Sequence, residues 1–184
     1  MYRSARALVA ALVGISGVAA CTGDDDASTP TTEATPTTEA TPTTVEINGT
    51  TGHCLNVDGT WTGDPIGGAP GTSERGFTQT CSDVQMSDER ASGALEALVD
   101  CELTQEGEAT IGVCWGTVTI SNDGGTWQGT VEGTSSWTTS EPAHVHAMDS
   151  TYLGTGGYDG LRMAIHAAGL GTPWTLTGRI EPVD

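Results

Sequence analysis

The stretch His144-Val145-His146-Ala147-Met148 holds the densest chemistry in this 184-residue chain. On a β-strand, His144, His146 and Met148 project to one side, with Ser150 and Tyr152 further along the same row. Two imidazoles and a thioether suit a soft or borderline metal such as copper, so these three form a candidate metal face. The plainer alternative has both histidines facing solvent and Met148 packed in the core. His53 and His166 join the set only if the fold brings them close. Just beyond, Tyr152 and Tyr158 flank a corner containing Gly154, Gly156 and Gly157, with Asp159 and Gly160 following. Tyr158 and Asp159 would make an acid–base pair at a barrel mouth, yet Asp-Gly is also an ordinary turn and tyrosines beside glycine corners fill space. The glycines are no phosphate loop, because no lysine follows and the next segment reads as strand. No nucleophile elbow of the Gly-x-Ser-x-Gly type occurs either. No catalytic residue is therefore assigned, and no cofactor is called for.

Five tryptophans, Trp61, Trp115, Trp127, Trp137 and Trp174, stand against the single Phe77. Spread over several strands, they would line a lumen or a binding face for a sugar-like or apolar molecule, or else fill the core in place of side-chain volume missing at the glycines. Tyr152, Tyr158, Trp115 and Trp127 are the candidate ligand contacts.

These residues need strands to position them. After Val45 nothing reads as a long helix: Gly, Thr, Val and Trp recur, with turn signals every ten to fifteen residues, close to the spacing of an all-β sandwich or barrel. Strands are expected near Val45 to Asn56, Gly76 to Met86, Gly93 to Leu103, Glu108 to Ser121, Thr126 to Trp137, His144 to Leu153, Leu161 to Ala168 and Trp174 to Ile180. The stretch Ala91 to Val99 also fits a short helix, since Ala94, Leu95, Ala97 and Leu98 have helical spacing. Asn122-Asp123-Gly124-Gly125 is the clearest hairpin turn, made of residues that accept positive φ. Asp64 to Ser73, rich in Gly and Pro, is a long loop.

Period-2 alternation places Leu161, Met163, Ile165 and Ala167 on one face, and likewise Trp174, Leu176, Gly178 and Ile180. The Glu108 to Ser121 strand is less tidy. Cys114, Val118 and Ile120 share one face while Ile111, Val113 and Trp115 share the other, which calls for a bulge near Gly112 or a covered outer face.

The first residues point to export. Arg3 and Arg6 precede an apolar run from Ala7 to Ala20, too short to span a bilayer and built like a secretory signal. Val18-Ala19-Ala20-Cys21 resembles the lipobox of bacterial-type lipoproteins, which implies lipidation of Cys21 and cleavage before it. The expected boundaries are a signal peptide over 1–20, a lipidated cysteine with a Thr/Pro-rich disordered linker over 21–44, and a domain over 45–184. The linker repeats Thr29-Pro30-Thr31-Thr32-Glu33-Ala34 as Thr35 to Ala40 and has no large apolar residue to bury, so it reads as an extended stalk. Two acyl chains hold a protein stably where one holds marginally, which makes Cys21 a membrane anchor on the outer face of the cell membrane.

All 24 acidic residues follow Cys21, against Arg75, Arg90, Arg162 and Arg179, in a chain without lysine and with net charge −18. Such an acidic surface repels phosphate backbones and argues against nucleic-acid binding. It repels anionic lipid heads equally. Four cysteines remain after Cys21, an even number in an exported domain, so two disulfides are expected from three possible pairings. If Gly107-Glu108 is a two-residue turn, Cys101 and Cys114 stand directly opposite, and Cys54–Cys81 follows by elimination.

Taken in order, the segments Ser87 to Gly93, Trp115-Gly116, Asn122 to Gly129, Gly154 to Leu161 and Trp174 to Pro182 resemble those of exported bacterial proteins of unknown function. Those in turn are similar to the eight-stranded barrels of the allene oxide cyclase and dirigent class. The resemblance spans roughly Ser87 to Pro182. It implies a single antiparallel barrel of about eight strands with an apolar lumen, and it carries over no catalytic residue. The expectation is a lipid-anchored binding or interaction module for a small apolar or sugar-like ligand or a partner protein. A cyclase or isomerase barrel and a metal-binding protein using His144, His146 and Met148 are the alternatives.

Overall fold

The computed structural model describes residues 43–57, 59–140 and 144–183. The expected signal sequence, Cys21 and the repeat stalk lie outside the described residues. The strands are β1 (Val45–Thr51), β2 (Cys54–Val57), β3 (Thr60–Thr62), β4 (Ser73–Met86), β5 (Gly93–Glu106), β6 (Ala109–Asn122), β7 (Gly125–Thr138), β8 (Val145–Gly156), β9 (Leu161–Leu170) and β10 (Thr175–Pro182). From β4 to β10 each strand pairs antiparallel with the next, and β1 pairs with β10 on one side and with β4 on the other. The result is a closed ring of eight strands, in the order β1-β10-β9-β8-β7-β6-β5-β4. Closure removes free sheet edges.

The run expected as one strand from Val45 is broken into pieces. After Gly52-His53 the chain continues as β2 and then β3, so the edge of β4 that faces away from β5 pairs in turn with β1, β2 and β3. The alternative of a short helix over 91–99 does not hold, since residues 93–99 lie in β5. A single 3-10 turn, Glu89–Ala91, leads into β5, where Leu95, Ala97 and Val99 turn inward and Ala94 and Leu98 outward.

No bulge occurs near Gly112, and the outer face there is uncovered. The β6 register runs unbroken against both β5 and β7, with Thr110, Cys114, Val118 and Ile120 buried and Val113 and Trp115 exposed. The register shifts lie in β4 instead, between Glu74 and Phe77 and between Cys81 and Val84. Each inserts a residue and resets which parity faces in, so Glu74, Gln79, Cys81 and Val84 all reach the interior.

Gly107-Glu108 joins β5 to β6 as a two-residue turn, which sets Cys101 opposite Cys114 in register; the two are disulfide-bonded, as are Cys54 and Cys81. Two disulfides mark the domain as extracytoplasmic. The Asn122–Gly125 hairpin forms as expected, although its central residues Asp123 and Gly124 do not adopt positive φ.

One end of the ring is sealed. There Trp127, fully buried, stacks on Tyr158 with ring centroids 5.0 Å apart. Trp127 Nε1 donates to the Arg90 carbonyl at 2.7 Å, and the Tyr158 hydroxyl donates to Asn122 Oδ1. Asn122 Nδ2 in turn donates to the Ser92 carbonyl at 2.6 Å, which ties the β6–β7 hairpin to the 3-10 turn. Gly154 makes room for this plug: a Cβ there would fall 2.1 Å from the Tyr158 carbonyl oxygen. Gly156 and Gly160, at φ of 69° and 77°, turn the chain from β8 into β9.

Candidate ligand site in the ring lumen

The opposite end is open and leads into a cavity of about 730 Å³ along the ring axis. Sequence alternation builds its wall. Inward positions of β5, β6, β8 and β9 supply Ala97, Val99, Leu103, Val118, Ile120, Met148, Ile165 and Ala167, small and medium apolar side chains that leave the axis unfilled. The loop between β3 and β4 folds over the rim with Gly67, Gly68 and Ala69. It is fastened there by Trp137, whose Nε1 donates to the Gly67 carbonyl at 2.8 Å.

Four aromatic rings form a row at the mouth. Trp137 stacks on His144 (centroids 4.3 Å apart), His144 on His146 (5.8 Å), and His146 meets Trp174 at 5.0 Å with a tilt of 42°. Each position has a local cause. His144 and His146 share the inward parity of β8 with Met148, Ser150 and Tyr152, as their spacing requires. Trp174 is pinned by its backbone: its N–H donates to Thr51 Oγ1 at 2.9 Å, and its carbonyl accepts from the Thr51 N–H at 3.1 Å. Its ring lies against Gly169, where a Cβ would fall 3.2 Å from Cδ1.

Polar side chains, among them Thr51, Asn56, Glu74, Gln79, Ser135 and Ser150, are interspersed along the apolar wall. Ser135 Oγ lies 3.4 Å from His144 Nδ1, and Gln79 donates to Asn56 Oδ1 at 2.9 Å. The buried Glu74 accepts from the Gly59 N–H at 3.0 Å. Burial, reinforced by the neighbouring His144, pushes His146 down to about 4, and burial lowers His144 as well. Burial pushes the Tyr152 phenol up to about 12 against the opposing hydrogen bond from Ser150. At neutral pH both imidazoles and the phenol are therefore uncharged. Among the described residues no Lys or Arg lines the cavity. The four arginines of the domain form ion pairs elsewhere: Arg75 with Glu102, Arg90 with Asp88, and both Arg162 and Arg179 with Glu181.

Of the four residues proposed from sequence as ligand contacts, Tyr152 alone faces the cavity. Trp127 and Tyr158 sit in the sealed end, and Trp115 stands on the outer face beneath the Arg75 guanidinium, 5.4 Å from its ring centroid. Asp159 is exposed in the β8–β9 turn. The metal candidates His144, His146 and Met148 all line the cavity. His53 is exposed, and His166 points outward to Asp149 at 2.8 Å. Among the described residues no group of three or more His, Cys, Asp or Glu converges as a metal site would require. Of the five tryptophans expected either to line a lumen or to fill the core, Trp61, Trp137 and Trp174 line the cavity. Strand parity carried the signal for Trp137, ten residues after Trp127 on the same strand and hence on the same face.

Compared with protein-family models, curated proteins and solved structures, the chain matches none of them. Its architecture is therefore an antiparallel ring of eight strands with two disulfides, without an identified family.

Proposed function

We propose that this domain binds a small, mainly apolar molecule inside the ring, taken up through the aromatic mouth. The single observation that carries the reading is the cavity itself. At about 730 Å³ it lies within the ~300–1,000 Å³ usual for small-molecule sites, and like them it has a mainly apolar wall interrupted by polar side chains. A protein that merely needed a core would fill this space, since each methylene-sized void costs stability. The expected eight-stranded barrel with an apolar lumen, implied by the likeness to the allene oxide cyclase and dirigent class, agrees with this use.

The test is titration of the purified protein with an uncharged naphthalene-type fluorophore, read by emission shift and by competition. Saturable one-to-one binding is expected. Ala167→Phe and Ala97→Phe, each placing a ring in the lumen, should abolish it while retaining the β-sheet circular dichroism spectrum. Absence of saturable binding to any of a panel of uncharged apolar compounds, or binding unchanged in both filled variants, would sink the reading.

A lipid anchor at Cys21 completes the proposal: the domain would stand on its stalk at the outer face of the cell membrane and capture its ligand there. Cys21→Ser should move the protein from the membrane fraction to the soluble fraction. Unchanged partitioning would remove the anchor from the proposal without touching the lumen.

A further inference from the structure

We infer that the lumen selects a mainly apolar molecule carrying an ammonium group, which docks against the Glu74 carboxylate beside the Trp61 and Phe77 rings. This rests on the lumen-binding reading and names its ligand class. Among the described residues Glu74 is the one acidic side chain on the cavity wall, and no Lys or Arg stands there with it. One acid, aromatic faces and an apolar wall match a cation attached to a hydrophobic body.

A local device turns Glu74 inward. Phe77, Gln79 and Cys81 share the inward parity of β4, and on an unbroken strand Glu74 would lie on the opposite face. The register shift between Glu74 and Phe77 reverses this. Gly76 permits the bulge with a φ of 70°, and its N–H donates to Asp100 Oδ1 at 2.8 Å. The Gly59 N–H steadies the side chain by donating to Glu74 Oε1 at 3.0 Å, and one such bond leaves a carboxylate with further acceptor sites. Arg75, the next residue, is engaged on the outer face by Glu102 and the Trp115 ring.

Aromatic rings flank the acid. Trp61 stands directly opposite Glu74 in the β3–β4 register and lines the cavity with it, a pairing that sets their Cβ atoms about 5 Å apart. Phe77 follows on the same wall. An ammonium is attracted by an aromatic face and by a carboxylate, and both attractions strengthen away from water. The other titratable groups of the wall do not oppose it: burial keeps His144 and His146 uncharged at neutral pH, and Tyr152 likewise. Outside, a chain of net charge −18 draws cations towards the mouth. An anion meets the reverse on each count.

The test compares 2-naphthylmethylamine, its uncharged isostere 2-naphthylmethanol and 2-naphthoate on the purified protein by calorimetry at neutral pH. The amine should bind about tenfold tighter than the alcohol, the margin of a charge-assisted contact over a neutral one. The carboxylate should bind at least about tenfold more weakly than the alcohol. Glu74→Gln keeps an oxygen for the Gly59 N–H and removes the charge, so the alcohol should bind as before while the amine loses its advantage. Glu132→Gln makes the same charge change at an exposed position opposite Trp115 and should leave that advantage intact. If Glu74→Gln does not fold, carbodiimide coupling of the amine to the wild-type protein is mapped by peptide mass spectrometry. Amide formation at Glu74 that excess alcohol suppresses supports the inference, and coupling confined to exposed carboxylates overturns it. Equal affinity for amine and alcohol overturns it and leaves lumen binding standing. Persistence of the preference in Glu74→Gln, or its loss in Glu132→Gln, overturns it too. Failure of every probe to bind overturns the lumen reading itself.

Discussion

His146 should make the fold acid-sensitive by an amount that its position sets. In the folded chain burial and the nearby His144 hold the imidazole neutral down to about pH 4, against 6.5 for a free imidazole. Between those values the unfolded chain takes up a proton that the folded chain refuses. Unfolded protein then binds more protons, so stability rises with pH across this window: it is fully present above 6.5 and lost as the pH falls towards 4. At about 1.4 kcal/mol for each pH interval of one, the ceiling is about 3 kcal/mol. Because the ring is partly exposed at the rim, solvent screening reduces that to about 1–2 kcal/mol. The perturbation is His146→Phe, which keeps a ring and removes the titration. The assay is urea denaturation followed by tryptophan emission at about pH 7 and about pH 4.5 for both proteins. Carboxylates and His144 also titrate, but they are common to both, so the quantity of interest is the difference of differences. Wild type should lose about 1–2 kcal/mol more than the variant between the two conditions. A stability difference between the proteins that stays constant within about 0.5 kcal/mol would refute the reasoning, because a buried neutral imidazole cannot be silent across that window.

The sealed end should be a stability hub: Asn122→Ala removes the acceptor of the buried Tyr158 hydroxyl and the tie to Ser92, and is expected to cost about 2–4 kcal/mol in denaturation while leaving probe binding in the remaining folded protein unchanged. Removing the Cys101–Cys114 bridge by double alanine substitution should cost about 3 kcal/mol, since it releases a closed loop with a sequence separation of 13. Trp115→Ala should change stability by no more than about 1 kcal/mol and leave lumen binding intact, because Trp115 is 40% exposed on the outer face, with the Arg75 guanidinium over its ring.

Local pattern carried most of the ring, and non-local pairing carried what it missed. The Cys101–Cys114 bridge was legible because a two-residue turn at Gly107-Glu108 sets those cysteines opposite each other using nothing beyond the hairpin. The inward rows of β8 and β9 followed from alternation alone. β4 was harder: its two bulges reset parity, so Glu74 and Val84 face in although Phe77, Gln79 and Cys81 between them lie on the other parity. The division of the first strand into β1, β2 and β3 depends on what β4 offers as a partner, which no property of residues 45–62 reveals. Alternation puts Trp115 on the face of β6 away from Cys114, and the structure keeps it there, outside the cavity. That Trp127 and Tyr158 plug one end depends on Asn122 reaching residues some thirty positions earlier.

The difference between the two ends makes the ring a vessel and not a channel. At one end three polar side chains hold the plug: Trp127 Nε1 donates to Arg90, the Tyr158 hydroxyl to Asn122, and Asn122 to Ser92. At the other end the same kinds of group are left over, with Trp174 Nε1 and His146 Nδ1 facing no protein partner. Trp127 and Trp174 are both more than nine-tenths buried, so burial does not separate them; the presence or absence of a nearby carbonyl does. Folding alone rewards satisfying such groups, and the β6–β7 hairpin shows that this chain can do so. Unpartnered nitrogens on cavity-lining rings at the open end set it apart from the satisfied network of the sealed one.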